Sequence, residues 1–320
     1  MNTVYFLVQQ TMFFSIPLLI VALGGMFSER SGVVNIALEG TMIMGAFSSI
    51  LFISLMQDAG VGMNPQVMLL VAILIAAATG VLISMAHAYA AINMKADQVI
   101  SGTAINMFAP AFAIFAARMI RTVQQIPFSN TFRIAKVPVL GDIPVLGQLF
   151  FQNTYITTYL GFLILIVAAV VLYKTRFGLR LRACGEHPQS ADSVGINVYK
   201  MRYIGVAISG ALAGIGGLVF VVPTSTNFNA TVAGYGFLAL AVLIFGQWKP
   251  GRILMAAFFF GLMKTIAAAY SGIPFLANLG VPNDVYKMVP YVATLIVLAF
   301  TSKNSMAPRA SGIPYDKGGR

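Results

Sequence analysis

Apolar residues in this chain run in blocks long enough to cross a bilayer, separated by short polar breaks. A crossing takes about 20 apolar residues. Nine blocks are placed as spans, at 8–27, 33–57, 66–93, 98–120, 154–173, 203–222, 234–248, 252–270 and 285–301. The seventh is short, as a broken or tilted helix would be. The pattern predicts an all-α polytopic membrane protein with about nine transmembrane helices over residues 1–301. Residues 224–233 and 271–284 read as polar, Gly/Pro-bearing connections. Residues 121–153 carry Pro127, Pro138 and Pro144 and are too long for a tight turn. They are expected to form either a surface-lying cap or a docking surface for an external substrate-delivery protein. Residues 302–320 have Gly, Pro and basic residues without apolar periodicity, which predicts a flexible basic cytoplasmic tail.

Composition agrees with this picture. Hydrophobic residues make up 58% of the chain and charged residues 9%. No soluble domain of 320 residues needs that much apolar surface, so the excess must face lipid. The net charge of +11 does not point to nucleic acid, because the basic residues sit in the breaks. There they act as topology determinants and lipid-headgroup contacts. The most basic break is 174–202, with Lys174, Arg176, Arg180, Arg182, Lys200 and Arg202. Placing it inside also puts Arg30, Lys95, Lys249, Arg252, Lys303, Arg309, Lys317 and Arg320 inside. Arg118, Arg121, Arg133 and Lys136 then fall outside. This bias predicts an outer N-terminus and a cytoplasmic C-terminus in a multi-pass cell-membrane protein. The first block has no basic n-region or Ala-x-Ala site and reads as a retained span. The single cysteine, Cys184, excludes internal disulfides and Cys-cluster metal sites. His87 and His187 alone cannot build a metal site.

The 174–202 break contains a shaped segment, GEHPQSADSVGI at 185–196. Pro188 suits the first position of a helix, where its missing N–H costs nothing. Gly195 suits the position just past a helix end. Ala191 and Val194 are three apart and are expected on one face. The spacing predicts a two-turn helix along the inner membrane surface, either an ordinary loop helix or a docking element.

Several polar residues fall within spans. Asn35 and Glu39 are four apart and are expected on one helical face in the inner half of the bilayer. A carboxylate there faces a protein interior or a water-filled cavity. Glu39 therefore either lines a path or fixes the second span against the first. Gln98, Ser101 and Asn106 are further path candidates, and they serve equally well as interhelical bonds. Lys264 either snorkels or lines a cavity. His87 reads as a packing residue, and His187 as a contact or cap for the helix that follows Pro188. Gly210 and Gly214 have GxxxG spacing, suited to close helix packing. No GxxxxGK[ST] occurs, so ATP hydrolysis by this chain is not expected. Ala207-Ile208 before Ser209-Gly210 lacks the first glycine of a serine intramembrane protease motif.

ERSGVVNIALEG at 29–40, GLRLRACGEHPQSADSVGI at 178–196 and SGALAGIGG at 209–217 resemble the ABC-importer permeases of the ribose, branched-chain amino acid and nucleoside branch. The resemblance covers roughly residues 10–300. It is greatest to the shorter permease of nucleoside (guanosine-type) importers. It implies a type II-like permease that is not itself an enzyme and moves nucleosides by alternating access. Gly185, Glu186, His187, Pro188, Ala191, Val194, Gly195 and Ile196 would form its ATPase-coupling element. Asn35, Glu39, Gln98 and Asn106 would be its substrate-path candidates. The implied partners are a cytoplasmic ABC ATPase using ATP and Mg, a paralogous permease and an extracellular substrate-binding lipoprotein. The same architecture also serves simple sugars and branched-chain amino acids. An ion-coupled secondary transporter is a further alternative.

Overall fold

The computed structural model describes residues 2–145, 147–269, scattered positions from 282 to 295, and 306–318. The helices are α1 (Asn2–Arg30), α2 (Leu38–Asp58), α3 (Pro65–Ile92), α4 (Gln98–Arg121), α5 (Ile156–Lys174), α6 (Arg176–Glu186), α7 (Pro188–Ser193), α8 (Val198–Thr224), α9 (Tyr235–Phe245) and α10 (Pro250–Ala269). Among the described residues, seven are long and apolar enough to span a membrane: α1 to α5, α8 and α10. The short seventh block is α9, with 11 residues. Most of the ninth block, and the 271–284 connection but for Pro282, lie outside the described residues.

Local sequence sets the helix starts. Asn64, Asp97, Thr175 and Asn197 each accept a backbone N–H of the first turn of α3, α4, α6 and α8. Short polar side chains there satisfy donors that the helix leaves unpaired. α2 starts five residues later than the apolar block suggests, because residues 31–37 are mostly buried but not helical.

α8 is the hub, packing on α3 and α1 and then on α2. Of the spanning windows, 78% of α2 is buried against 17% of α4. The first is central and the second borders the bundle. The glycine stripe makes the hub possible. A Cβ on Gly210 would strike Ser84 and the Gly80 carbonyl of α3; one on Gly214 would strike the Ala76 carbonyl. Gly45 of α2 lies against the Gly214 backbone in turn. Hydrogen side chains let the three backbones touch. Gly214→Ala is therefore expected to cost about 1–3 kcal/mol through forced backbone shifts. Gly251→Ala, at an open position, is the control. Equal membrane yield and thermal stability of the two variants would argue against this seam.

At one end of the bundle, residues 122–155 fold into a cap. β1 (Ile126–Pro127) pairs antiparallel with β4 (Asn227–Phe228), and β2 (Ile134–Lys136) with β3 (Gln152–Thr154). Ile126, Phe128, Phe132 and Phe228 are buried beneath it. Arg121 pairs with Asp58, and Lys136 with Asp142. Half of the basic residues expected to break the inside bias are thus neutralised by carboxylates.

The opposite end carries α6, α7 and the α3–α4 and α9–α10 turns. Residues 306–318, expected to be flexible, lie packed there: Ala310 and Tyr315 are buried, and the chain hydrogen-bonds to several elements. Low apolar periodicity concealed an irregular segment that docks through its backbone and three buried side chains, Pro308, Ala310 and Tyr315.

Candidate functional site

The residues expected to couple and to line a path fall in two regions, the α6–α7 surface and the interior around residues 31–40. α7 is bounded as its sequence predicts. Pro188 occupies the first turn. Gly195 has φ +82°, a left-handed conformation that glycine adopts without strain. Its N–H donates to the Asp192 carbonyl at 2.9 Å, and the Ile196 N–H to the Ala191 carbonyl at 3.0 Å. These two bonds form a Schellman end, with Ile196 folding back toward Ala191.

The predicted coupling residues divide into two sets. Pro188 and Ala191 are buried, Ala191 at 3% exposure. Gly185 abuts the Arg30 carbonyl so closely that a side chain would not fit. Glu186 forms an ion pair with Arg30 at 3.5 Å. Ile196 packs on the core. His187 and Gly195 are exposed, and Val194 is 74% exposed. Ala191 and Val194 therefore do not share a face. The helix ends at Ser193, and Val194, with φ −93° and ψ 14°, turns away. His187 stands at the N-cap position but its side chain makes no capping bond. Cys184 is buried next to this contact; burial pushes its thiol up to about 11, with the Arg202 guanidinium pulling the other way.

Behind α6 lies the non-helical segment 31–37, whose backbone groups need partners away from water. The Val34 N–H donates to Gln98 Oε1 at 2.7 Å, and the Val34 carbonyl meets His87 Nε2 at 2.9 Å. A carbonyl only accepts, so that nitrogen carries the proton and Nδ1 faces the Ser101 hydroxyl at 2.9 Å. Asn106 Nδ2 donates to the Ile36 carbonyl at 2.9 Å, and its Oδ1 accepts the Gly40 N–H at 2.8 Å. Asn35 accepts the Ala37 N–H at 3.1 Å and donates to the Ser209 hydroxyl at 2.9 Å. Asn35, Gln98 and Asn106, expected on a path, thus clamp irregular backbone. Gln98 Nε2 stays buried without a protein partner among the described residues. Asn35 and Glu39 do not share a helical face, since α2 begins between them.

Glu39 is 7% exposed and accepts the Gly234 N–H at 2.9 Å and the Gly236 N–H at 2.6 Å. It fixes the second span to the start of α9, not to the first span. The N-terminus of a helix favours an anion through its unpaired N–H groups and dipole.

Beside that start is a cavity of about 410 Å³, lined by Ala233, Gly234, Phe237, Leu238, Ala241, Lys264 and Leu295. A second, of about 450 Å³, includes Phe220, Thr224, Ala233, Tyr235 and Lys264. Lys264 lines both, and its ammonium lies 5.7 Å from the Tyr235 ring centroid, within cation–π range. Of the two readings of Lys264, cavity lining is the one that this geometry matches.

Sequence reasoning missed the Trp248 Nε1–H bond to the Glu29 carboxylate, at 2.6 Å, which ties α1 to the α9–α10 turn. It also missed the burial of Arg202, at 1% exposure. The lone tryptophan beside a break was the available signal for the first. Arg202, counted among loop charges, gave none.

No solved structure matches this chain. It is 45% identical to the guanosine ABC transporter permease protein NupQ of Bacillus subtilis, covering 98% of this chain and 97% of that protein. It is 41% identical to the nucleoside ABC transporter permease protein NupC of Lactococcus lactis, over 99% and 98%. A second permease of that organism, the nucleoside ABC transporter permease protein NupB, is 24% identical over 93% and 80%. The family model described as branched-chain amino acid transport system / permease component matches residues 7–298. With its bundle of apolar helices and nearly full-length relatives, the chain belongs to this family of transport-system permeases.

Proposed function

We propose that this chain is the membrane-spanning permease subunit of an ATP-driven importer of nucleosides. The observation that carries the reading is α7, a short helix bounded at both ends whose C-terminal end is exposed, and which follows directly on the end of α6, where Gly185 and Glu186 abut the α1–α2 junction. A separate ATPase, using ATP and Mg, docks on Val194 and its neighbours. Its movement passes through Gly185, Glu186 and Arg30 to the clamped segment 31–37, then through Glu39 to the start of α9. There it reshapes the walls around Lys264, giving alternating access. The ammonium can donate to base or ribose acceptors, and the exposed Phe237 offers an aromatic face for a base. The chain itself hydrolyses nothing.

The basic end, with Arg30, Lys95, α6 and residues 306–318, is placed in the cytoplasm, which sets the N-terminus outside. The cap over 122–155 then faces an external binding protein. The two dissimilar permeases of one Lactococcus support a paralogous partner subunit. Sugars and branched-chain amino acids are the second reading, because the family description names the latter.

The test is uptake of labelled guanosine by cells with and without the gene, in a strain lacking other nucleoside importers. Loss of uptake on deletion, with competition by adenosine but not ribose or leucine, is expected. It should persist when ion gradients are collapsed while ATP remains. Unchanged guanosine uptake would transfer the substrate to another class.

A further inference from the structure

We propose that residues 306–316 are a strap that positions the α6–α7 coupling unit on the bundle and makes its movement productive. This deepens the reading of the chain as an ATP-driven permease and rests on it. The strap bonds on both sides. The Ala310 N–H donates to the Gly185 carbonyl at 2.8 Å, and the Gly312 N–H to the Gly32 carbonyl at 3.2 Å. It therefore bridges the end of α6 and the junction that α6 abuts. The Met306 N–H reaches Gln247 Oε1 at 2.9 Å in the α9–α10 turn. Lys95 pairs with Asp316 at 2.8 Å in the α3–α4 turn.

Its most consequential partner is Arg202. A buried guanidinium needs partners. Nη1 of Arg202 donates to the Ile313 carbonyl at 3.0 Å, and its guanidinium lies 5.9 Å from the Tyr315 ring centroid. Tyr315 also packs edge-on against Tyr199, at 5.4 Å between centroids. The strap thus supplies two of the groups facing a cation inside the fold, next to Cys184 and Gly185. A free tail has no reason to be built into that position. α7 is six residues long, and the end of α6 that carries it meets the junction through Gly185 and Glu186. Without the strap, force on α7 would tilt α6 and be lost.

Two readouts test this. In the complete transporter, deletion of residues 306–320 is expected to leave insertion and ATPase co-purification intact. Uptake per ATP hydrolysed should fall about tenfold, within the usual range of coupling between sites. The single cysteine provides the second readout. Maleimide labelling of Cys184 should speed up about tenfold as local opening becomes easier. Tyr315→Ala should move both readouts the same way, and Tyr315→Phe, which keeps the ring, should restore both. If the deletion blocks insertion, the Tyr315 pair carries the test. Parental coupling in Tyr315→Ala, or a Cys184 that stays shielded, would overturn the strap. If the parent chain itself shows no ATP-driven uptake, the transport reading fails, and Cys184 labelling still judges the strap.

Discussion

Val194→Glu is expected to abolish ATP-driven uptake while leaving the chain folded and inserted. Val194 is 74% exposed just past the end of α7, so a carboxylate there stays in water and costs the fold little. On a docking surface, the same change buries a charge against the partner. Loss of one central apolar contact is worth about 2 kcal/mol, roughly thirtyfold in affinity. A buried unpaired carboxylate adds to that. Co-purification with the ATPase and uptake should therefore fall together. Ala191→Glu is the instructive contrast. Ala191 is 3% exposed and packs inside the chain, so the charge has nowhere to go and the variant should fail to accumulate. Loss of transport in that variant would say nothing about docking. Normal ATPase association of Val194→Glu would remove α7 as the docking element.

The two positions also mark where the sequence is legible. Hydropathy located eight blocks that correspond to α1–α5 and α8–α10, because lipid imposes a length on apolar runs. Pro188 and Gly195 delimited α7, because each has a conformational preference that acts locally. What depends on tertiary neighbours was not legible. Val33, Val34, Ile36 and Ala37 read as the start of a span, since apolar character reports burial and not helicity. Their backbone is irregular and survives only because Gln98, His87 and Asn106 reach it from other helices. Gln98 and Asn106 looked like path linings for the same reason: a polar side chain within a span shows that it has a partner, not which one. The packing of 306–318 was hidden because its docking bonds run mostly through the backbone, which leaves no pattern in the sequence.

Glu39→Ala is the second large expected effect, and it separates the two roles that sequence left open. The carboxylate accepts two N–H groups at the start of α9. Hydrogen bonds to a charged group contribute about 1.5–3 kcal/mol each, and the truncated variant leaves both donors buried without an acceptor. A loss of about 3 kcal/mol or more is expected, lowering the thermal midpoint in detergent by about 5–10 °C. Glu39→Gln should fall between, since one amide oxygen replaces two anionic ones and the helix dipole loses its counter-charge. Space at the contact is tight: a side chain on Gly236 would strike the Glu39 backbone, so α2 and α9 cannot close over the deleted group by sliding together. Uptake should follow the same order, because loosening the start of α9 alters the cavity wall that carries Gly234 and Phe237. A Glu39→Ala variant as stable as its parent but inactive would make Glu39 a substrate-path residue. A stability loss graded from Gln to Ala would make it the clamp that holds α9 at the head of the cavity.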